Sequence, residues 1–355
     1  MLNNWIKPVS LEQITGQVHP IPQTWGARIS FQMSTDVQLA IIGVGESDAN
    51  EVRRALYALS FPFEHLNVAD LGNMRNLDPA FLIAPLREII QSNIMPVFIG
   101  QDVSLINGYY RAFLALQDWI SLALIDQILR EAICKDILMD ADAKLFHLSM
   151  IGCQSHAMLP DQFQFLESRY FDLIRLGEAK SQLQSVEPLI RDADLVAFNV
   201  NAISYPYAPG QISPSPSGFS TDEACQISRY IGMSDKVKAM GIFGYRHEYD
   251  VQAQTAQLIA QMIWYATEGF YNRTGDFPAS TQGLTEYLVE VKSVNLPVCF
   301  WKSTRSGRWW MEVVAKEVPG MPIRHRLIPC TYQDYRSACN DELPDRLIQA
   351  FKRFA

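Results

Sequence analysis

Short apolar runs alternate with amphipathic stretches along most of this chain. VQLAIIGVG (Val37 to Gly45) precedes ANEVRRALYAL, IMPVFIG precedes SLINGYYRAFLAL, ISLALID precedes QILREAICK, and KLFHLSMIG precedes PDQFQFLES. Further on, DLVAFNVN leads through a loop to STDEACQISRYIG, and VKAMGIFGY leads to the long DVQAQTAQLIAQMIWYATEGF. Continuous apolar strands separated by helices read as parallel strands buried on both faces. The pattern predicts an α/β, three-layer αβα fold with a doubly wound, mainly parallel sheet.

Near residue 284 the texture changes. TEYLVEVK, LPVCFWKS and GRWWMEVV read as strands, the last two as a candidate hairpin, and PDRLIQAFKRF as a closing helix. The expected organisation is an α/β unit over 1–284 and a smaller C-terminal extension over 285–355 packed on the same domain. A long irregular segment, AISYPYAPGQISPSPSG (Ala202 to Gly218), directly follows a strand end, a position where such loops usually serve function.

Composition narrows the class. With 48% hydrophobic and 19% charged residues, the chain can bury a sizeable core. Its formal charge of −8 includes no basic run, which argues against nucleic acid as a partner. No apolar stretch has the length of a membrane span, and the first residues lack a signal-peptide pattern, so the expected location is cytoplasmic. The six cysteines, Cys134, Cys153, Cys225, Cys299, Cys330 and Cys339, form no CxxC pair and read as reduced thiols.

In an open parallel sheet, ligands bind beyond the carboxyl ends of the strands. The segments placed there are GQDVS (Gly100 to Ser104), IDQILR with Asp126, IGCQSHAM with His156, FNVNAIS with Asn199 and Asn201, and FGYRHEYD (Phe243 to Asp250). Their order and spacing resemble the ureohydrolase family of arginase, agmatinase and formiminoglutamase over about residues 38–275. The long DVQAQTAQLIAQMIWYATEGF resembles that family's helix after its EVNPxxD turn, and PSGFSTDEACQISRYIG resembles its glycine-containing loop before a helix. GVGESDANEVRRAL resembles its first strand and helix with a shortened loop between them. The resemblance implies an arginase-like fold, trimeric or hexameric assembly, and two Mn2+ ions sharing a hydroxide that attacks a guanidinium-type carbon. Carboxylates and imidazoles suit such a metal pair.

The ligands that the resemblance implies are largely missing. Against the family's GGDH, GQDV puts Val103 for the first histidine. Against DxHxD, DQILR keeps Asp126 but puts Ile128 for His and Arg130 for the second Asp. Against SxDxDxxDP, Asn199 and Asn201 replace both Asp, with Ser204 and Tyr205 at the closing pair. Gly244 stands where the family's substrate-binding Glu belongs, and His156 matches its proton-transfer histidine. Valine and isoleucine offer no lone pair, asparagine no charge, and Arg130 adds a permanent cation that is expected to pair with Asp126.

No cofactor is therefore expected. The leading expectation is a pseudoenzyme that binds an unknown small molecule or protein, or that assembles as a homo-oligomer. The alternative is a hydrolase of linear amidine C–N bonds, formiminoglutamase-like or agmatinase- or arginase-like, using His156 and Asp126. The GVG at Gly43 to Gly45 makes a poor dinucleotide signal because Asp48 replaces the third glycine. Asp102 reads as a helix cap, and His247 and Glu248 lie near the site without rebuilding a metal cluster. In KSTRSGRWWMEVV, Arg305, Arg308, Trp309 and Trp310 read as a half-buried strand rather than a ligand cage.

Overall fold

The computed structural model describes residues 2–116, 119–133, 137–139, 145–277, 282–313 and 326–354. Nine strands form the main sheet: β1 (Ile6–Lys7), β2 (Leu39–Val44), β3 (Val68–Met74), β4 (Met95–Gly100), β5 (Ile120–Ile125), β6 (Leu145–Cys153), β7 (Asp172–Arg175), β8 (Leu195–Asn199) and β9 (Ala239–Phe243). Their order is β1-β3-β2-β4-β9-β8-β5-β6-β7. All described pairings in it are parallel except β1 with β3. The mainly parallel sheet read from the apolar runs is therefore the observed one.

Strands β2, β4, β5, β8 and β9 are buried at every position, because helices cover both faces and leave no solvent side to reward a polar residue. One core lies under the helices Glu46–Tyr57, Thr221–Met233 and Gln254–Tyr271, the other under Pro79–Gln91 and Ile106–Leu114. Thr221–Met233 starts at a capping box, Ser220 with Glu223. It packs against Gln254–Tyr271 so closely that a Cβ at Gly232 or Gly269 would overlap the facing helix's backbone. Asp250, the last residue of FGYRHEYD, accepts from Thr255 N at 2.9 Å and Ala256 N at 3.0 Å, which starts the long helix.

Two strands escape the periodicity for physical reasons. In β3 the apolar run is broken by Asp70 and Asn73, both buried and both hydrogen-bonded by Arg53. Its Nε lies 2.6 Å from Asp70 Oδ2 and its Nη1 2.6 Å from Asn73 Oδ1. Strand β7 has only four residues and opens on a buried acid, Asp172.

Beyond residue 282 a second sheet forms in the antiparallel order β10 (Leu284–Val291), β11 (Leu296–Ser303), β12 (Trp309–Glu312) and β13 (Leu327–Cys330). Leu327–Cys330 is a strand that the alternation does not announce. Arg191 donates to Trp309 O and Cys330 O, both at 3.2 Å, and its guanidinium lies 4.5 Å from the Trp310 ring. Arg308 lies within 3.4 Å of Glu187 and Asp276, so the Arg–Trp cluster holds this sheet on the main one. The helix expected in QILREAICK is seen over Glu131–Ile133, and Cys134 lies outside the described residues. The other five cysteines are free thiols.

Candidate functional site

Four neighbouring strands, β4, β9, β8 and β5, end on the same side of the sheet and surround a cavity of about 590 Å³. Val103, Arg130, Asn199, Asn201 and Gly244, five of the positions singled out from the sequence, line it. Asp126 lies beneath them, 3% exposed. Ile128 packs against the apolar core instead. His156 is exposed on the turn between β6 and the helix Pro160–Ser168 and is not among the residues that line the cavity.

Asp126 accepts four hydrogen bonds. Oδ1 receives Gln127 N at 2.7 Å and Arg130 Nη2 at 3.4 Å, while Oδ2 receives Arg130 Nε and Asn199 Nδ2, each at 2.8 Å. A carboxylate offers about four lone-pair sites, so these donors occupy its accepting capacity. Burial pushes the Asp126 carboxyl up, and the Arg130 guanidinium opposes that shift.

The asparagines follow from the same geometry. At 2.8 Å from Asp126, a second carboxylate at position 199 would need a cation between the two, whereas the Asn199 amide donates directly. Its Oδ1 meanwhile accepts Asn201 N at 3.0 Å and caps the short turn Val200–Ala202. That oxygen excludes a side chain from position 244, since a Cβ there would overlap it and the backbone has φ +85°. Glycine at 244 and asparagine at 199 are thus coupled. The Asn201 Oδ1 is buried and has no donor among the described residues.

The cavity wall also contains residues that the motif comparison passes over: Gln101, Ser104, Ile212 and Arg246. Arg246 had a legible signal, because it stands two residues after Gly244 and period two keeps both on one face of an extended segment. Ile212 comes from the long loop, which Gln127 and Gln154 tie down through Ser217 O at 2.9 and 3.4 Å. Asp102 caps Ser104 N at 2.8 Å. His247 turns to Asp48, with Nδ1 2.7 Å from its Oδ1, and Gln101 also donates to Asp48. Asp48 is thereby buried and engaged at the start of the helix that follows the GVG turn.

The donor set does not fit a pair of manganese ions. Val103 and Ile128 have no lone pair, Asn199 is committed to Asp126 and Asn201, and the one acid left is saturated. Among the described residues, no group of three or more His, Cys, Asp or Glu is placed to hold a metal ion. Nor is any described helix long and apolar enough to cross a membrane.

Comparison with known proteins agrees with this architecture. The arginase-family model matches residues 134–268. A formimidoylglutamase of Staphylococcus haemolyticus is 34% identical over 80 residues, 22% of this chain and 26% of that relative's length. The chain thus matches about a quarter of this curated relative. Formiminoglutamase of Trypanosoma cruzi with Mn2+ superimposes with a TM-score of 0.61 at 16% identity, covering 75% of this chain and 99% of that one. Formimidoylglutamase of Bacillus subtilis gives 0.62 at 14%, with 73% and 95% covered. Arginase of the same species gives 0.53 at 14%, with 64% and 98% covered. At such identities the structures speak for fold alone, and the chain shares the fold of these arginase-superfamily structures, with the arginase-family sequence match lying within the part of the chain that carries β6, β8 and β9.

Proposed function

We propose that this chain is a ureohydrolase-fold pseudoenzyme, in which the cavity of a dinuclear manganese site serves binding in place of hydrolysis. One observation carries the reading: Asp126, the remaining family ligand, is saturated by Arg130, Asn199 and Gln127. Arg130 is the cation that compensates it, and a guanidinium does not give up its proton at any working pH. A metal entering here would have to displace it and would meet the amides of Asn199 and Asn201 and the aliphatic Val103. Metal-activated water therefore has no seat, and His156 stands away from the cavity.

The competing reading is a hydrolase of linear amidine C–N bonds, which the names of the formiminoglutamase relatives favour. Elemental metal analysis separates the two, on protein as purified and after incubation with excess Mn2+ and desalting. Release of formamide from formiminoglutamate and of urea from arginine and agmatine is followed in parallel. The expected outcome is substoichiometric metal and no product. Two metals per chain with Mn2+-dependent product release would replace the pseudoenzyme reading with the hydrolase.

A further inference from the structure

The cavity holds two guanidinium groups where the resemblance calls for two metal ions. Arg130 commits Nε and Nη2 to Asp126 and leaves its remaining amino group, with the side chain 24% exposed. Arg246 is half-buried in the same wall and has no acidic partner among the described residues. The acid among the described lining residues, Asp102, is exposed and has an oxygen on Ser104 N. With Asp126 paired to Arg130, Arg246 is a guanidinium with no ion-pair partner among the described residues in a partly desolvated space, and its planar fork of donors suits an oxyanion there.

An independent observation points the same way. Asn201 lines the cavity, is 3% exposed, and keeps its Oδ1 buried with no donor among the described residues. A Cβ on Gly244 would lie 3.5 Å from that oxygen, so position 244 borders it. A buried carbonyl oxygen without a donor is costly, and a ligand N–H or O–H placed next to the guanidiniums would satisfy it.

We infer that this cavity is an oxyanion site: it takes the carboxylate or phosphate head of a small molecule that carries an N–H or O–H donor beside that head. Arg246 and the free edge of Arg130 hold the head, and Asn201 accepts the neighbouring donor. A guanidinium-headed molecule, the type the family's chemistry acts on, is repelled. The inference rests on the reading that no metal pair occupies the cavity.

The test is isothermal titration calorimetry in EDTA-containing buffer with L-lactate and inorganic phosphate, and with guanidinium at the same low millimolar concentrations as a control. Saturable binding of lactate or phosphate and none of guanidinium is expected. Lactate alone identifies a carboxylate head with a donor, and phosphate binding identifies a phosphate head. R246Q should weaken the bound anion at least tenfold, as loss of a charge-assisted contact does. I212W, which fills the cavity from the loop, should abolish binding, with circular dichroism checking that both variants fold. Binding of neither anion to protein that also lacks metal overturns the oxyanion site and leaves the pseudoenzyme reading standing. Anion binding untouched by both variants overturns the site as well. Anion binding that appears only with Mn2+ and vanishes in EDTA overturns the pseudoenzyme reading itself.

Discussion

The two ends of the main sheet treat buried acids in opposite ways. At the carboxyl end, Asp126 is neutralised by Arg130, four residues further along the chain, and a cavity remains above the pair. At the amino end, Asp172 opens β7 and meets His147 Nε2 at 3.0 Å, Arg346 at 3.3 Å and Arg353 at 4.0 Å. Nearby, Lys236 lies 3.2 Å from Asp192 and 3.8 Å from Asp194, which also accepts Ser121 N. The C-terminal helix Asp345–Phe354 supplies two of these arginines and closes that end. Local pairing leaves the cavity open, whereas Asp172 and its two arginines, more than a hundred residues away in sequence, tie the C-terminal helix to the sheet.

Removing the two acids should expose that difference. D172A leaves three cationic or polar partners buried without their acceptor, and a loss of about 3–5 kcal/mol is expected in urea unfolding. D126A should cost less, about 1–3 kcal/mol, because Arg130 is free to turn into the cavity and be solvated. Equal losses would erase the distinction between a stabilising end and a ligand-binding end.

The coupling of glycine and asparagine at the cavity sharpens the comparison further. G244A should destabilise by about 1–3 kcal/mol, since φ +85° strains any L side chain and the new methyl meets Asn199. In the double variant G244A/N199A the steric share should vanish and only the backbone share remain. Strictly additive losses in the unfolding cycle would mean that the two positions are independent.

Acid should act at the amino end first. Burial, aided by Arg353, holds the His147 imidazole below its ordinary value despite the pull of Asp172. Its Nε2 hydrogen faces the Asp172 carboxylate, while Nδ1 is buried with no partner among the described residues. The unfolded chain then takes up a proton below about pH 6.5 that the folded chain refuses, so stability falls as pH falls, by up to about 1.4 kcal/mol per pH unit. Burial would also raise Asp172, but His147, Arg346 and Arg353 hold it far below the usual carboxylate range. Its contribution is present above the unfolded value near 3.8 and is lost as pH falls further. Asp126, raised by burial, has the opposite sign and loses stability as pH rises through its folded value. H147Q should flatten the unfolding free energy between pH 5 and 7, and an unchanged slope would remove His147 from the account.

The central strands and the long helices were legible because apolar burial on both faces writes itself into a continuous run. Strand β3 was not, since Asp70 and Asn73 read as polar until Arg53 arrives from the helix Glu46–Tyr57. Strand β1 has two residues and pairs with β3 across more than sixty positions, a register that no local pattern carries. At the cavity, the replaced motif positions were readable one by one. Their mutual dependence was not, because Asn199 touches Asp126 and crowds Gly244 only when β5, β8 and β9 lie side by side.

From the sequence alone came the layered α/β architecture and the residue types at the cavity: aliphatics, amides and a cation where the resemblance implies ligands with lone pairs and negative charge. Those depend on residue type and order, which folding does not alter. Only the tertiary structure decided that Asp126 has no accepting capacity to spare, that His156 is exposed outside the cavity lining, and that Arg246 joins Arg130 in one cavity. Saturation, direction and convergence are properties of distances between strands, and the sheet sets those distances by pairing segments far apart in the chain.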